Sequence, residues 1–326
     1  MFETLSEFIV SAIVIVFAAH RLVQASEEIA ACTGIGHLFI GSLFLAGSTS
    51  APEFFVDVRA TMEGIPNLAA GDLLGSSLMN LMIFSFLALR FHAMREPART
   101  PDLRLSSLLA ALLSAEVGFF IWLHPPWQLL GLNVGSLLLM GTYLFGMRRL
   151  FRRMQSGTPS PAPRVSRRQV FKPMLKFFLA TLAIFFASPL LVGSMESIAL
   201  KTGLGNTFIG TSLLALTTSF PELVASITAA RRGLFDLMLG NIVGSNALNM
   251  VIFVLMDWIW QKPPLWSHLE NKNIFVSGAV VFNMLIVALT WGGRKKHPAL
   301  KLTGTLLILL FSLGCYVFLY LFRGSF

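Results

Sequence analysis

Long apolar runs dominate this 326-residue sequence and limit the folds that it can adopt. Phe8–Ala19, Leu105–Leu123 and Leu302–Leu321, with their flanks, are long enough to cross about 30 Å of hydrocarbon at about 1.5 Å per residue. A mean hydropathy of +0.73, with 13% charged residues, is too apolar for one soluble core. The sequence therefore predicts an all-α integral membrane protein.

About ten such runs can be counted, and we predict one transmembrane helix for each. Their approximate bounds are 6–24, 37–62, 67–90, 105–123, 127–150, 172–193, 206–230, 235–259, 273–291 and 300–322. The segment 151–171 is polar and rich in Ser, Pro and Arg, and it separates the ten spans into five and five. We predict a first repeat at 1–150, a linker at 151–171 and a second repeat at 172–326.

The basic residues indicate the orientation in the membrane. Segment 151–171 and its flanks hold the densest positive charge, so the positive-inside rule places the linker in the cytoplasm and both termini on the opposite side. The net charge of +9 is explained by such loops, and no nucleic-acid partner is predicted. Cys32 and Cys315 are too few for a metal or disulfide framework. We expect the location of the protein to be a plasma (inner) membrane of the prokaryotic type.

An internal repeat relates the two halves. At an offset of 169 positions, Phe39–Phe84 aligns without a gap with Phe208–Phe253, and 18 of the 46 residues are identical. Because each half has five predicted spans, the two copies must enter the membrane from opposite sides. The sequence thus predicts two inverted five-helix repeats, an arrangement of secondary transporters whose site lies near the middle of the membrane.

The matched polar residues indicate where that site lies. They are Thr49, Ser50, Pro52, Glu53, Gly71, Gly75, Ser76 and Asn80 in the first copy, and Thr218, Ser219, Pro221, Glu222, Gly240, Gly244, Ser245 and Asn249 in the second. A carboxylate within a span costs about 2.5 kcal/mol or more unless it faces a polar interior. Glu53 and Glu222 at equivalent positions therefore indicate a shared functional site.

The side chains of each copy offer only oxygen ligands. Pro52 and Pro221 also lack an amide hydrogen, which frees the carbonyls of Ser48 and Thr217. Carboxylate, hydroxyl, amide and carbonyl oxygens suit Ca²⁺, and similarly Na⁺, rather than zinc, copper or iron. These ions are predicted as substrates, and no cofactor is expected.

Other polar and small residues admit more than one interpretation. A lone Ser, Thr or Pro in a span often serves its own helix, and the paired glycines let the third and eighth spans pack closely. Asp57 and Asp72 lie one turn from Glu53 and Ser76, but their counterparts Ser226 and Asn241 are neutral. Each aspartate is compatible with a role beside the site or with a solvated helix end.

The paired segments resemble the two alpha repeats of the calcium/cation antiporters. They read GSTSAPEFFVDVRATMEGIPNLAAGDLLGSSLMN and ALTTSFPELVASITAARRGLFDLMLGNIVGSNALN. The resemblance implies a ten-helix exchanger with alternating access, closer to the sodium/calcium-type branch. It implies the cation ligands Thr49, Ser50, Glu53, Ser76, Asn80, Thr218, Ser219, Glu222, Ser245 and Asn249, with the backbone carbonyls of Ala46 and Ala215.

Two positions depart from the family pattern. Many members have Asp where this chain has Asn249, and Asn is usual where this chain has Asp72. Two carboxylates balance one Ca²⁺ or two monovalent ions, so two Na⁺ or two protons per Ca²⁺ is a hypothesis that competes with three Na⁺, unless Asp57 or Asp72 supplies the missing charge.

We therefore expect a secondary antiporter that exchanges Ca²⁺ for Na⁺, with Ca²⁺/H⁺ exchange as the alternative. A passive cation channel is a further possibility, although an inverted pair of motifs favours an exchanger. An enzyme is not expected, because no HExxH pair and no nucleophile with a matching His occurs within a span. Besides the lipid bilayer and the cations, the sequence indicates no obligate protein partner.

Overall fold

The chain is almost wholly helical in the computed structural model, which describes residues 2–91, 102–129, 131–156, 167–202, 216–260, 264–293 and 297–321. Within these ranges the strands are β1 (Gln128–Leu129) and β2 (Leu132–Asn133), which pair antiparallel. The predicted all-α class is confirmed.

The helices mostly follow the predicted spans. They are α1 Phe2–Thr33, α2 His37–Phe39, a π-helix Ile40–Leu45, α3 Ala46–Thr49, α4 Ala51–Met62, α5 Pro66–Arg90, α6 Asp102–Leu123, α7 Val134–Ser156, α8 Arg167–Lys201, α9 Phe220–Arg231, α10 Phe235–Ile259, a 3₁₀-helix Leu265–His268, α11 Lys272–Thr290 and α12 Pro298–Leu321. Helices α7 and α8 extend into the predicted linker 151–171, of which 157–166 lies outside the described residues.

Seven helices of the described ranges are long and apolar enough to cross a membrane. They are α1, α5, α6, α8, α10, α11 and α12, and the broken pair His37–Thr49 and Ala51–Met62 makes an eighth if it counts as one span. The predicted spans at 127–150 and 206–230 are not among them, and residues 203–215 lie outside the description. The protein is a multi-pass membrane protein, while the total of ten spans and the inverted repeat stay predictions.

The chain divides into two compact units, and the first comprises Met1–Pro52 and Arg152–Ser245. It takes segments from both halves of the sequence. Within it, α1 packs along α8 and against α9, around a core of Ile15, Ala187 and Leu191. This packing supports the segments that carry Thr49, Ser50 and Glu222.

Glycines bring two backbones of the first unit together. A Cβ at Gly240 would lie 3.0 Å from the Cα of Gly41, and one at Gly244 would lie 2.5 Å from the Cα of Ser42. Only glycine fits such an approach of the π-helix to the start of α10. The predicted close packing is confirmed for the eighth predicted span, whose partner is the second. It is not confirmed for the third, because among the described atoms a Cβ at Gly71 would have no neighbour within 4 Å and one at Gly75 only the Tyr316 hydroxyl at 3.9 Å.

The second unit comprises Glu53–Phe151 and Asn246–Phe326. Helix α6 packs against α11, and α5 packs against α12. On α12 the Tyr316 hydroxyl donates a hydrogen bond of 2.6 Å to the carbonyl of Gly75. At the C-terminal end of α11, the ring of Trp291 packs against that of Phe84 on α5, with their centroids 5.2 Å apart. Helix α5, which carries Ser76 and Asn80, is thus held by packing along its length.

Candidate cation site

In the first sequence copy the helix is interrupted at Ser50. Helix α3 ends at Thr49, Ser50 has φ −79° and ψ 18°, and α4 begins at Ala51. Pro52 has no amide hydrogen, so the bond that a continuous helix would make to the carbonyl of Ser48 is lost. The local sequence therefore accounts for the break, and it places the hydroxyls of Thr49 and Ser50 beside it.

The second copy has the same interruption at the equivalent residue. Residues 216–218 are helical, Ser219 has φ −82° and ψ 13°, and α9 begins at Phe220 with Pro221 in its first turn. The angles of Ser50 and Ser219 differ by 3° in φ and 5° in ψ. The repeat that is visible in the sequence is thus matched by the backbone at this position.

A buried carboxylate lies at the centre of the polar group in the first unit. Glu222 is fully buried, and its Oε1 accepts hydrogen bonds from the hydroxyls of Ser50 at 3.0 Å and Ser245 at 3.4 Å. Its Oε2 accepts no hydrogen bond from any described residue, and the hydroxyl of Ser219 has none either. The structure therefore brings together three of the predicted ligands, from α9, α10 and the break after α3.

Thr49 leads to two residues that were not predicted as ligands. Its hydroxyl lies 3.2 Å from Oδ1 of Asn241, and Nδ2 of Asn241 donates to the hydroxyl of Ser226 at 3.1 Å. Both partners are fully buried. Asn241 and Ser226 are the repeat counterparts of Asp72 and Asp57. This equivalence was the feature of the sequence that could have identified them.

Four predicted ligands belong to the second unit, and all are buried. Glu53 lies in the first turn of α4, Ser76 and Asn80 lie on α5, and Asn249 lies on α10. The amide nitrogens of both asparagines donate hydrogen bonds, while neither Oδ1 accepts one from the described part of the chain. Two amide oxygens are therefore available to an electropositive ligand.

Asp57 and Asp72 also belong to the second unit. Asp57 is fully buried, and its two carboxylate oxygens accept no hydrogen bond within the described ranges. Asp72 is half-buried on α5. The burial of Asp57 contradicts the interpretation of this position as a solvated helix end. Burying a carboxylate without a hydrogen-bond donor costs free energy.

The remaining predicted ligands are placed less completely. The carbonyl of Ala46 accepts the amide of Ser50 at 2.9 Å and lies 3.3 Å from the hydroxyl of Thr49. Thr218 is buried, and Ala215 lies outside the described residues. In the described ranges no three acidic, His or Cys side chains form a metal-binding group. The donor set is therefore mainly hydroxyl and amide oxygen, with single carboxylates.

The sequence is similar to that of known membrane proteins over most of its length. The profile of the family described as "Sodium/calcium exchanger protein" matches residues 5–149 and 172–322. The chain is 28% identical to "Inner membrane protein YrbG" of Escherichia coli, over 85% of this chain and 86% of that protein. It is 24% identical to "Vacuolar calcium ion transporter" of Schizosaccharomyces pombe, over 86% and 73%.

A solved structure shares the fold. That of the sodium-calcium exchanger NCX_Mj, soaked with Na⁺ and Sr²⁺, matches with a TM-score of 0.75 at 20% identity. The match covers 96% of this chain and 97% of that chain. The similarity therefore extends over the whole membrane domain and is not confined to the two motifs.

Proposed function

We propose that this chain, which belongs to the sodium/calcium exchanger protein family, exchanges Ca²⁺ for Na⁺ by alternating access at a site of oxygen ligands. The observation that carries the proposal is the group around Glu222. This fully buried carboxylate receives two hydroxyl hydrogen bonds and has one oxygen without a donor among the described residues. Burying a carboxylate costs several kcal/mol, and a bound cation offsets that cost.

The proposed ligands combine residues of both sequence copies, near the middle of the membrane. They are Thr49, Ser50, Glu53, Ser76, Asn80, Thr218, Ser219, Glu222, Ser245 and Asn249, with the carbonyls of Ala46 and Ala215. Ca²⁺ accepts six to eight oxygens at about 2.3–2.6 Å and tolerates mixed carboxylate, amide and carbonyl ligands. The cations are substrates, and they leave the site in each cycle.

Exchange follows if Ca²⁺ and Na⁺ compete for one set of oxygens and only the occupied protein changes its accessible side. Glu53 and Glu222 supply two negative charges. One Ca²⁺ or two Na⁺ balances them, so the proposed stoichiometry is two Na⁺ per Ca²⁺. The proposed setting is a plasma (inner) membrane, with the linker 151–171 in the cytoplasm and both termini on the other side.

The test is Ca²⁺ uptake by proteoliposomes that contain the purified full-length chain. We expect an outward Na⁺ gradient to drive uptake against the Ca²⁺ gradient, with saturation at high Ca²⁺. If a proton gradient drives uptake and a Na⁺ gradient does not, the counter-ion is H⁺ instead of Na⁺. Downhill Ca²⁺ flux that does not saturate and ignores both gradients would identify a passive channel instead, and no flux at all would contradict the proposal.

A further inference from the structure

Asn80 and Asn249, two residues of the proposed ligand set, are each hydrogen-bonded to a residue on the other's helix. That residue lies one helical turn before the other asparagine. Nδ2 of Asn80 donates to Oδ1 of Asn246 at 3.0 Å, and Nδ2 of Asn249 donates to the hydroxyl of Ser77 at 3.3 Å. All four side chains are fully buried. The arrangement follows the repeat, because 77 + 169 = 246 and 80 + 169 = 249.

The orientation of the Asn80 amide is determined by Asn246. The side chain of Asn246 lies 3.1 Å from the backbone carbonyl of Ser77. A carbonyl only accepts hydrogen bonds, so the atom facing it is Nδ2, and Oδ1 of Asn246 faces Asn80. Asn80 must therefore present its own Nδ2 to Asn246. Its Oδ1 is left without a hydrogen-bond donor among the described residues.

The orientation of the Asn249 amide is determined by Ser77 together with the Leu73 carbonyl. The hydroxyl of Ser77 uses its single hydrogen to donate to the carbonyl of Leu73, at 2.8 Å. Toward Asn249 it can only accept, and the Leu73 carbonyl lies 3.3 Å from the same Nδ2. Asn249 thus meets two acceptors on one side, and its Oδ1 has no donor in the described part of the chain.

We infer that Ser77 and Asn246 are positioning residues, which turn the amide oxygens of Asn80 and Asn249 toward the transported cation. The inference rests on the proposed function, in which these two oxygens are ligands. Ser77 and Asn246 do not touch the ion. They act by preventing an amide flip that would present a positively polarised NH₂ group to Ca²⁺.

The first test compares two serines of α5 in proteoliposomes. Ser77→Ala removes one of the two acceptors of the Asn249 amide and leaves the Leu73 carbonyl, and we expect the KM for Ca²⁺ to rise about fivefold at an unchanged maximal rate. Ser77→Thr retains a hydroxyl and is expected to restore the KM. Ser85→Ala is the matched control, because Ser85 is also fully buried and donates to the carbonyl four residues earlier, at 2.9 Å. Its KM is expected to equal that of the wild type.

A second test uses the other amide and remains informative if Ser77→Ala does not fold. Asn246→Ala is expected to raise the KM for Ca²⁺ at an unchanged maximal rate. Asn283→Ala is its control, since Asn283 is a fully buried asparagine that donates to Ser312 at 3.0 Å. Wild-type KM values in both test variants, or equal rises in test and control, would overturn the inference. An inactive wild type would instead overturn the proposed function.

Discussion

The two sequence copies share their proposed ligands but differ one helical turn away. Ser226 and Asn241 of the second copy are neutral, fully buried and joined by a hydrogen bond of 3.1 Å. The equivalent residues of the first copy are Asp57 and Asp72, since 57 + 169 = 226 and 72 + 169 = 241. The proposed side-chain ligands are therefore identical in the two copies, whereas the neighbouring pair is acidic in the first copy and neutral in the second.

The largest expected effect concerns a feature that the copies share. Glu53→Gln and Glu222→Gln each remove a buried carboxylate, and we expect either change to reduce Na⁺-driven Ca²⁺ uptake about 100-fold. Glu63→Gln is the control, because Glu63 is exposed and pairs with Arg59 at 2.7 Å. Substantial uptake by one of the two buried variants would show that the copies do not contribute equally.

The next effect separates the copies by packing. A Cβ at Gly244 would lie 2.5 Å from the Cα of Ser42, whereas one at the equivalent Gly75 has as its nearest described neighbour the hydroxyl of Tyr316 at 3.9 Å. Gly244→Ala is therefore expected to destabilise the protein by about 3 kcal/mol, and Gly75→Ala by less than about 1 kcal/mol. Thermal unfolding in detergent measures both. Equal losses would remove this difference between the copies.

The sequence predicted the parts of the site that depend on local chemistry. The missing amide hydrogens of Pro52 and Pro221 predicted free carbonyls at Ser48 and Thr217, whereas the spans were predicted as continuous, and the helix interruptions at Ser50 and Ser219 come from the structure. The buried character of Glu53 and Glu222 follows in the same way from their positions within apolar spans. Each of these predictions needed only residue types, spacing and the internal repeat.

The hydrogen-bond partners could not be predicted, because they depend on tertiary packing. Spacing places Ser77 and Asn246 on their helices, but it does not specify which acceptor each amide meets. The contact of Asn241 with Thr49 likewise joins residues 192 positions apart, and its contact with Ser226 depends on how the consecutive helices α9 and α10 pack. The repeat pointed to Ser77 and Asn246 in part, because the two occupy equivalent positions. Their residue types differ, however, so they do not form a symmetric motif that a sequence comparison would detect.

A third prediction concerns the number of carboxylates. We expect wild-type exchange to be electroneutral, and Asn249→Asp to make it electrogenic by admitting a third Na⁺. The same change removes the donor to Leu73 and Ser77, so it is expected to cost about 1–3 kcal/mol of stability without Ca²⁺. Uptake measured at imposed membrane potentials tests the first point, with Asn283→Asp as the control. A wild type that responds to the potential would contradict the two-carboxylate count.

The smallest expected effect comes from giving the first copy the chemistry of the second. Asp57→Ser combined with Asp72→Asn would replace two acidic side chains by a pair like Ser226 and Asn241. Because both carboxylate oxygens of Asp57 are buried without a donor among the described residues, we expect the free energy of unfolding to rise by about 1 kcal/mol. Ca²⁺ uptake is expected to stay within about twofold of the wild type, since a neutral hydrogen-bonded pair already serves the second copy. Loss of uptake in a stable double variant would show that the acidic pair of the first copy takes part in transport. The two copies would then contribute unequally to Ca²⁺ transport.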